Sequence, residues 1–380
     1  MNTNASPLDT FSAAPANPQA LELDKHLTKA QKVKRKAKKL KKKEKRRRLT
    51  GEKTIRCCGQ GENMEKYGFG VDVGGTSCKL GLFTDSGKLM EKWEIPTDTS
   101  EQGEHIIEHV AASLERRQRE RGLADEQIIG VGIDTPGIAG RDGVVRGAVN
   151  LGWEACPVQE QLKMRLQKKV CVCNDANAAA LGELWQGGGR GYRDMVMVTL
   201  GTGVGGAVIL NGKVLAGAHG IAGEIGHMTV FHKETERCAC GKYGCVEQYA
   251  SAKGLIRITR KLLEKKDPYT ILVDTPELSA KQILDAAKRG DRLALDAVEV
   301  LGKALGSALA AVAEVIDPEV FVIGGGIAGA GEIIPRIVQK YYRPDVLPAG
   351  ADIPFELARL GNDAGMYGSM KLLLDSSDEK

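Results

Sequence analysis

The sequence predicts an α/β fold made of two related halves, and two patterns support this prediction. First, short apolar segments bounded by glycines alternate with helical segments, as strands and helices do in α/β proteins. Second, residues 71–89 and 198–215 read alike. Each contains an apolar strand, a Gly/Thr turn, a second apolar strand and a hairpin turn, at Ser86-Gly87 or Asn211-Gly212. We therefore expect a duplicated chain in which each half begins with a β-hairpin.

The other predicted elements follow along the chain. The first half contains a strand at 67–73, a helical stretch at 101–121, strands at 128–134 and 170–174, and a helix at 175–185. The second half is rich in helix from Ser251, with a long apolar helix at 293–316, a strand at 320–323 and a final amphipathic stretch at 364–374. Asp317-Pro318 ends the long helix, because proline has no backbone N–H to continue it.

Composition excludes several classes of protein. The 380 residues are 42% hydrophobic and include 47 glycines, enough apolar material for real cores, so a fully disordered chain is excluded. No run approaches the ~18 apolar residues of a membrane span, and no apolar segment follows the basic N-terminal region as in an export signal. Nine cysteines are an odd number, and the close pair Cys238 and Cys240 favours free thiols or metal ligands over disulfides. We expect a cytoplasmic protein.

The positive charge is concentrated near the N-terminus. Residues 1–63 carry 17 Lys or Arg against 6 Asp or Glu, whereas residues 64–380 carry 37 against 43. A segment with so few large apolar residues cannot build a core, and we expect a disordered extension. Three interpretations remain: a start-site artefact upstream of Met64, where the strand pattern begins; a tail without a defined role; or a tail that binds nucleic acid through its phosphates.

Two glycine-rich turns are candidate phosphate-binding loops. Asp72-Val73-Gly74-Gly75-Thr76 follows the first strand, and Gly201-Thr202-Gly203 begins the matching turn of the second half. Glycines let backbone N–H groups approach a phosphate, and two facing loops can hold a polyphosphate from both sides. A hairpin turn with a surface aspartate explains the first loop taken alone, but the repetition favours a nucleotide site. Neither loop matches the Walker pattern or the dinucleotide fingerprint.

Asn174-Asp175 lies at the predicted junction of a buried strand and a helix. One interpretation is structural, because aspartate is a favourable helix N-cap. The other is catalytic. A carboxylate at the carboxyl end of a strand points into the crevice where α/β proteins bind ligands, so Asp175 is a candidate general base.

The densest pattern is one histidine followed by three cysteines. The spacing H-x(10)-C-x-C-x(4)-C provides the ligand set of a closed, structural zinc site: His227, Cys238, Cys240 and Cys245. Unligated thiols are the alternative. Glu224 and Glu247 bracket this cluster, and a loop fixed by zinc would hold both carboxylates in position to accept hydrogen bonds from ligand hydroxyl groups. Otherwise they are surface residues.

Three weaker signals complete the set of candidates. Asn150 follows a glycine-containing turn and can present its amide to a ligand or belong to an ordinary loop. Gly324-Gly325-Gly326, directly after a strand, can accommodate an adenosine or simply end the strand. Cys171 and Cys173 alternate within a strand and are interpreted as packing residues.

Five motifs, in this order, closely resemble the ROK family of bacterial sugar kinases and repressors, and specifically its glucokinases: D-V-G-G-T, N-D-A-N, L-G-T-G-V-G-G, H-G-I-A-G-E-I-G-H and C-A-C-G-K-Y-G-C-V-E. The resemblance covers residues 66–374 and implies the actin-like, ribonuclease-H-like ATPase fold, with two α/β lobes around a cleft. On that basis we expect a first lobe at 64–180, with the C-terminal helix at 364–376 packed on it. The second lobe, at 181–363, would carry the zinc loop at 227–245.

The resemblance also implies a role for each motif. Contacts to the phosphates of ATP and to Mg²⁺ would come from Asp72, Gly74, Gly75, Thr76, Gly201, Thr202 and Gly203, and we add Gly324 and Gly325 to the nucleotide site. Asp175 would accept the proton of the sugar 6-hydroxyl. Hydroxyl groups of the sugar would be bound by Asn174, Glu224, His227 and Glu247, with Asn150 beside them. Zn²⁺ would be held by His227, Cys238, Cys240 and Cys245. His227 would therefore contact both the sugar and the zinc ion.

The predicted function is therefore an ATP-dependent hexose kinase, with glucose as the expected substrate and a dimer or tetramer as the expected assembly. Kinases for N-acetylmannosamine, N-acetylglucosamine or fructose are alternatives on the same scaffold. A sugar-responsive regulator that binds nucleic acid through residues 1–63 is an alternative of another class. Asp175 and both glycine loops favour catalysis, because a sensor needs no general base. The extension also lacks the helical apolar periodicity of the helix-turn-helix domain that ROK repressors carry.

Overall fold

Two five-stranded mixed β-sheets form the framework of the structure, a computed structural model that describes residues 65–265 and 270–378. The predicted extension at 1–63 lies outside these residues. In chain order the strands are β1 (Tyr67–Val73), β2 (Ser77–Thr84), β3 (Leu89–Pro96), β4 (Ile128–Thr135), β5 (Ile138–Ala139), β6 (Val145–Ala148), β7 (Trp153–Cys156), β8 (Val170–Asn174), β9 (Met195–Leu200), β10 (Val204–Leu210), β11 (Lys213–Val214), β12 (Val320–Gly324) and β13 (Phe355–Leu357).

The two large sheets have the same topology. The first has the strand order β3-β2-β1-β4-β8 and the second the order β11-β10-β9-β12-β13. In each sheet the first three strands are antiparallel neighbours, and the last two run parallel to the central strand. This shared order is what a duplicated chain produces. Strands β5, β6 and β7 form a separate small sheet.

Helices cover both sheets, and the predicted helices at 175–185, 293–316 and 364–374 agree closely with the structure. The helices are α1 (Ile106–Glu120), α2 (Val158–Leu166), α3 (Asp175–Gln186), α4 (Glu247–Ala250), α5 (Ala252–Leu263), α6 (Ala280–Lys288), α7 (Arg292–Ile316), α8 (Ile333–Tyr342) and α9 (Ala364–Asp378). The long helix α7 buries Leu301, Leu305 and Leu309 in one core with Phe321 of β12. With 25 residues, α7 is the longest of the described helices, and its apolar face packs on this core.

Several features differ from the sequence prediction. Helix α1 begins at Ile106 rather than at 101, because Glu101 and Gln102 have φ angles of 50° and 58°, which are outside the helical region. The small sheet was not predicted, since strands of two to four residues are too short to show a periodic pattern. Helix α2 and strand β13 were also missed.

The C-terminal helix α9 packs on the first sheet and on α3. Its Met366, Met370 and Leu373 share a buried cluster with Phe83 of β2. Strand β4 meets α9 at a glycine: a methyl group on Gly132 would lie 1.8 Å from the carbonyl oxygen of Ser369. The chain thus returns after the second sheet to place residues 361–365 beside the carboxyl end of β1. Among the described residues, no helix combines the length and the apolar character that a membrane span requires.

Candidate active site

A cleft of ≈ 500 Å³ lies where the carboxyl ends of strands from both sheets meet. Six residues predicted from the sequence line it: Asp72, Asp175, Gly201, Gly203, Glu247 and Gly325. Four lining residues with polar side chains were not predicted: Lys79, Asp134, Thr199 and Asn362. Ligands of α/β proteins bind at such carboxyl ends, so this cleft is the candidate active site.

Asn174, and not Asp175, caps helix α3. The Asn174 Oδ1 atom accepts hydrogen bonds from the backbone N–H groups of Ala176 (3.0 Å) and Asn177 (3.3 Å). Its Nδ2 atom donates to the Gly137 carbonyl (2.9 Å) and to Asp175 Oδ1 (2.8 Å). Asp175, the first residue of the helix, is therefore free of the capping role, and its carboxylate is held at the cleft.

The environment of Asp175 favours proton uptake. Its Oδ1 atom accepts hydrogen bonds from Asn174 and from the Ala176 N–H (2.8 Å), which favour the ionised form. Desolvation by the surrounding cleft outweighs these bonds and, with the charge of Asp72, raises the pKa of Asp175 above its ordinary value. A carboxylate with a raised pKa is a stronger base, which suits proton abstraction from a hydroxyl group.

Asp72 and Asp134 lie side by side at the ends of β1 and β4. They are opposite each other in the parallel register of the two strands. Asp134 is 0% exposed, and its Oδ2 atom accepts a hydrogen bond from the Ser369 hydroxyl of α9 (2.8 Å). Burial, together with the nearby charge of Asp72, raises the pKa of Asp134 well above its ordinary value. Asp72 also faces Lys79, with 3.4 Å between the Asp72 Oδ2 and Lys79 Nζ atoms.

The second glycine loop contacts Glu247 at the cleft wall. The Val204 N–H donates to the Glu247 Oε2 atom (3.0 Å), and a methyl group on Gly203 would lie 2.4 Å from the same oxygen. Gly325 has a φ of +83°, and a methyl group on it would lie 2.6 Å from the carbonyl oxygen of Leu200. Only glycine tolerates both conditions. Gly324 is buried at the end of β12, and Thr202 is exposed on the loop.

The first glycine loop lies next to the cleft rather than in its lining. The turn after β1 consists of Gly74, Gly75 and Thr76, and Gly75 is exposed. A methyl group on Gly75 would lie 3.6 Å from the Cβ atom of Asn150. The Thr97 hydroxyl donates to the Gly74 carbonyl (2.6 Å), and the Thr97 N–H donates to the Thr76 carbonyl (3.0 Å). Thr97 therefore holds the turn in place, and the exposed Asn150 lies beside it.

The histidine and the three cysteines of the predicted zinc loop come together. The candidate ligand atoms of His227, Cys238, Cys240 and Cys245 all lie within 4.8 Å of one another. The Cys238 Sγ is 3.8 Å from His227 Nδ1, and the Cys240 and Cys245 Sγ atoms are 3.7 Å apart. Tetrahedral zinc with Zn–S bonds of about 2.3 Å separates its sulfur ligands by about 3.8 Å. The donor set and its spacing therefore fit a structural zinc ion.

This cluster is adjacent to the cleft. The Cys238 Sγ lies 3.8 Å from Glu247 Oε1, so the cluster contacts the carboxylate that holds the second glycine loop. Glu224 is exposed at the start of a 3₁₀ turn, Ile225–His227, and neither it nor His227 belongs to the cleft lining. Of the predicted sugar contacts, Glu247 lines the cleft, whereas Asn150, Asn174, Glu224 and His227 do not.

Some of the residues that the sequence analysis missed could have been predicted from the sequence, and others could not. Asp134 ends a predicted strand just as Asp72 does, and the rule that applies to strand ends could have identified it. Asn362 and Gly365 reach the cleft only because α9 returns to the first sheet, and no local pattern predicts this contact.

The chain is similar to proteins of known activity. The model of the ROK family matches residues 68–376. A glucokinase from Halalkalibacterium halodurans is 40% identical over 309 residues, which are 80% of this chain and 94% of that protein. An N-acetyl-D-glucosamine kinase from Salmonella newport is 30% identical over 316 residues, which are 80% of this chain and 99% of that protein.

A solved structure extends the likeness to the fold. The ROK family glucokinase from Streptomyces griseus, in complex with glucose and AMPPNP, has a TM-score of 0.65 and 30% identity, over 80% of this chain and 98% of that chain. Together with the two mixed sheets of matching strand order, this likeness confirms the predicted two-lobed, actin-like α/β fold.

Proposed function

The chain belongs to the ROK family, and we propose that this ATP-dependent hexose kinase phosphorylates the 6-hydroxyl group of glucose. The observation that carries the proposal is the position of Asp175, whose carboxylate faces a cleft bordered by the second glycine loop and by Gly325. Glucose is favoured over an N-acetylhexosamine because the identity to the glucokinase is 40%, against 30% to the N-acetyl-D-glucosamine kinase.

The proposed reaction needs one proton acceptor and a well-positioned pair of substrates. The Asp175 carboxylate takes the proton of the 6-hydroxyl as the sugar oxygen forms a bond to the γ-phosphorus of ATP. The bond between the γ-phosphorus and the β–γ bridging oxygen breaks, and ADP leaves with that oxygen. Asn174 supports this step by holding Asp175 Oδ1. Backbone N–H groups of both glycine loops, including Gly201, Thr202 and Gly203, would contact the phosphates, with Gly324 and Gly325 toward the nucleoside.

Sugar recognition is assigned to the residues around Glu247. Glu247 lies in the cleft, and His227 belongs to the cluster that contacts it through Cys238. Glu224 directly precedes the turn that carries His227, and Asn150 lies beside Gly75 of the first glycine loop. Carboxylate, amide and imidazole groups form directional hydrogen bonds with hydroxyl groups, which suits a sugar. All four hydrogen-bonding positions of the Asn174 amide are occupied within the protein. A direct sugar contact from Asn174 therefore requires the exchange of one of these bonds.

Two metal ions belong to the proposal. Asp72 would hold Mg²⁺, which when bound neutralises charge on the transferred phosphate. The four ligands at His227, Cys238, Cys240 and Cys245 would hold Zn²⁺, which fixes the loop that carries Glu247. Both assignments agree with the chemistry of the donors: carboxylate oxygens for Mg²⁺, and thiolates with one imidazole for Zn²⁺.

A coupled assay of ADP formation tests the proposal. The full chain is incubated with ATP, Mg²⁺ and, separately, glucose, fructose, N-acetylglucosamine or N-acetylmannosamine. We expect the highest kcat/KM with glucose. A higher kcat/KM with an N-acetylhexosamine or with fructose would contradict the glucose assignment, and no turnover with any sugar would contradict the kinase and favour a sugar-responsive regulator.

A further inference from the structure

The buried carboxylate of Asp134 is the strongest feature that the proposed reaction does not use. We propose that Asp134 is a second protein ligand, with Asp72, of the divalent cation that accompanies the nucleotide. The inference deepens the proposed function, because it concerns the cation of the same cleft. It rests on the position of Asp134, on one of its oxygen atoms and on the charges around it.

Asp134 and Asp72 present their carboxyl groups at one place. They occupy paired positions at the carboxyl ends of adjacent parallel strands. Gly365 of α9 covers both: a methyl group on Gly365 would lie 3.0 Å from Asp134 Oδ2 and 3.0 Å from the Asp72 Cγ. The absence of a side chain at Gly365 lets α9 approach both carboxyl groups closely.

One oxygen of Asp134 lacks a protein partner. The Oδ2 atom accepts the hydrogen bond from Ser369, but the Oδ1 atom is buried and has no hydrogen-bond partner in the part of the chain that the structure describes. A buried carboxylate oxygen without a partner is costly, and Asp134 belongs to the lining of the cleft. A bound cation would supply the missing partner.

The oxygen donors of the cleft also favour a cation. Among the described residues of its lining, four carboxyl groups, those of Asp72, Asp134, Asp175 and Glu247, face one ammonium group, that of Lys79. The phosphates of ATP would add further negative charge in the same space. Hard oxygen donors select Mg²⁺ or a similar divalent ion, which can lie between the carboxylates and the phosphates.

The fold itself does not require a carboxylate at this position. In the first sheet, Asp134 of β4 lies opposite Asp72 of β1. In the second sheet, the corresponding position is Gly324 of β12, which lies opposite Thr199 of β9. The same topology thus forms without a side chain at this place. Asp134 is therefore better explained by a ligand than by the architecture.

A titration with Mn²⁺ alone tests the proposal independently of catalysis. Free Mn²⁺ is measured by electron paramagnetic resonance in solutions of the full chain without nucleotide, for the wild type, Asp134→Asn and Asp142→Asn. We expect Asp134→Asn to weaken Mn²⁺ binding about tenfold or more, because losing a ligand costs at least as much as losing a hydrogen-bond partner of a ligand. Asp142→Asn removes a carboxylate that pairs with Arg146 outside the cleft lining, so its affinity should remain close to that of the wild type.

The outcomes separate the alternatives. Equal affinity of wild type and Asp134→Asn, or no Mn²⁺ binding by the wild type, would overturn the proposal and leave Asp134 as a protonated hydrogen-bond partner of Asp72. If circular dichroism reports that Asp134→Asn is unfolded, the smaller variant Asp134→Ser is titrated in its place with the same criterion. Phosphorylation of sugars by the wild type is measured separately, so failure of the kinase assignment does not decide the cation result.

Discussion

The two sheets share one strand order but carry different side chains at corresponding positions. In the first sheet, Asp72 of β1 is paired with Lys79 of β2 and with Asp134 of β4. In the second sheet, Thr199 of β9 is paired with Gly205 of β10 and with Gly324 of β12. Three charged positions in one half thus correspond to a hydroxyl group and two glycines in the other.

This difference indicates a division of labour across the cleft. The acidic sheet supplies carboxylates that can bind a cation or accept a proton. The second sheet supplies backbone and open space, which polyphosphate and nucleoside groups need for a close approach. Duplication therefore produced two copies of one framework, and the side chains at the strand ends gave each copy its own chemistry.

The acidic half is tested most strongly by Asp175→Asn. We expect kcat to fall by about 10²-fold or more, the scale of losing a general base, while the affinity for glucose stays nearly the same. Steady-state kinetics and calorimetric glucose binding measure the two quantities. Asp142→Asn is the control, because Asp142 pairs with Arg146 on an exposed hairpin outside the cleft lining. Turnover of Asp175→Asn within a few-fold of the wild type would refute the assignment of the base.

The zinc cluster contacts Glu247, the proposed sugar contact that lines the cleft, so removing a zinc ligand should weaken glucose binding most. Protein purified without added metal is expected to contain about one zinc ion per chain, and Cys240→Ser should lose zinc and bind glucose about tenfold more weakly. Elemental analysis and calorimetry with glucose and a nucleotide provide the measurements. Nucleotide affinity should change less than glucose affinity, because Glu247 reaches the second glycine loop through one hydrogen bond, from the Val204 N–H. Cys171→Ser, in β8 of the first sheet, should retain its zinc. An active wild type without zinc would contradict the structural site.

The glycine side of the comparison is tested by Gly325→Ala. The positive φ and the nearby Leu200 carbonyl oxygen both oppose a side chain at this position, so we expect a loss of about 1–3 kcal/mol in the free energy of unfolding and weaker nucleotide binding. Gly326→Ala is the matched control, since no described atom lies within 4 Å of its added Cβ. Urea denaturation measures both variants. Equal stabilities would show that the glycine requirement at 325 is not conformational.

The smallest effect is expected from removing residues 1–63. All described residues that line the cleft lie between Asp72 and Gly365, so kcat and KM should remain those of the full chain. Loss of activity in a chain that begins at Met64 would mean that the catalytic unit extends further. Salt-dependent binding of duplex DNA by the full chain, absent from the shorter chain, would support a nucleic-acid-binding tail.

The sequence by itself determined the local elements and the chemistry of the motifs. Short apolar segments predicted strands β1, β4 and β8, and the repeat predicted two matching halves. The spacing of one histidine and three cysteines predicted that they would meet, and they do. These predictions succeed because each depends on neighbouring residues, whose periodicity and spacing are visible in the chain.

Tertiary structure decided how these parts combine. From the sequence, either Asn174 or Asp175 could cap α3. In the structure Asn174 is the cap, and its amide also donates to the carbonyl of Gly137, which is far away in the chain. Asp175 is thereby left at the cleft. The pairing of β1 with β4 placed Asp134 beside Asp72, and the return of α9 brought Gly365 over both. Register between strands and packing of a distant helix depend on the whole fold, so no local pattern contains them.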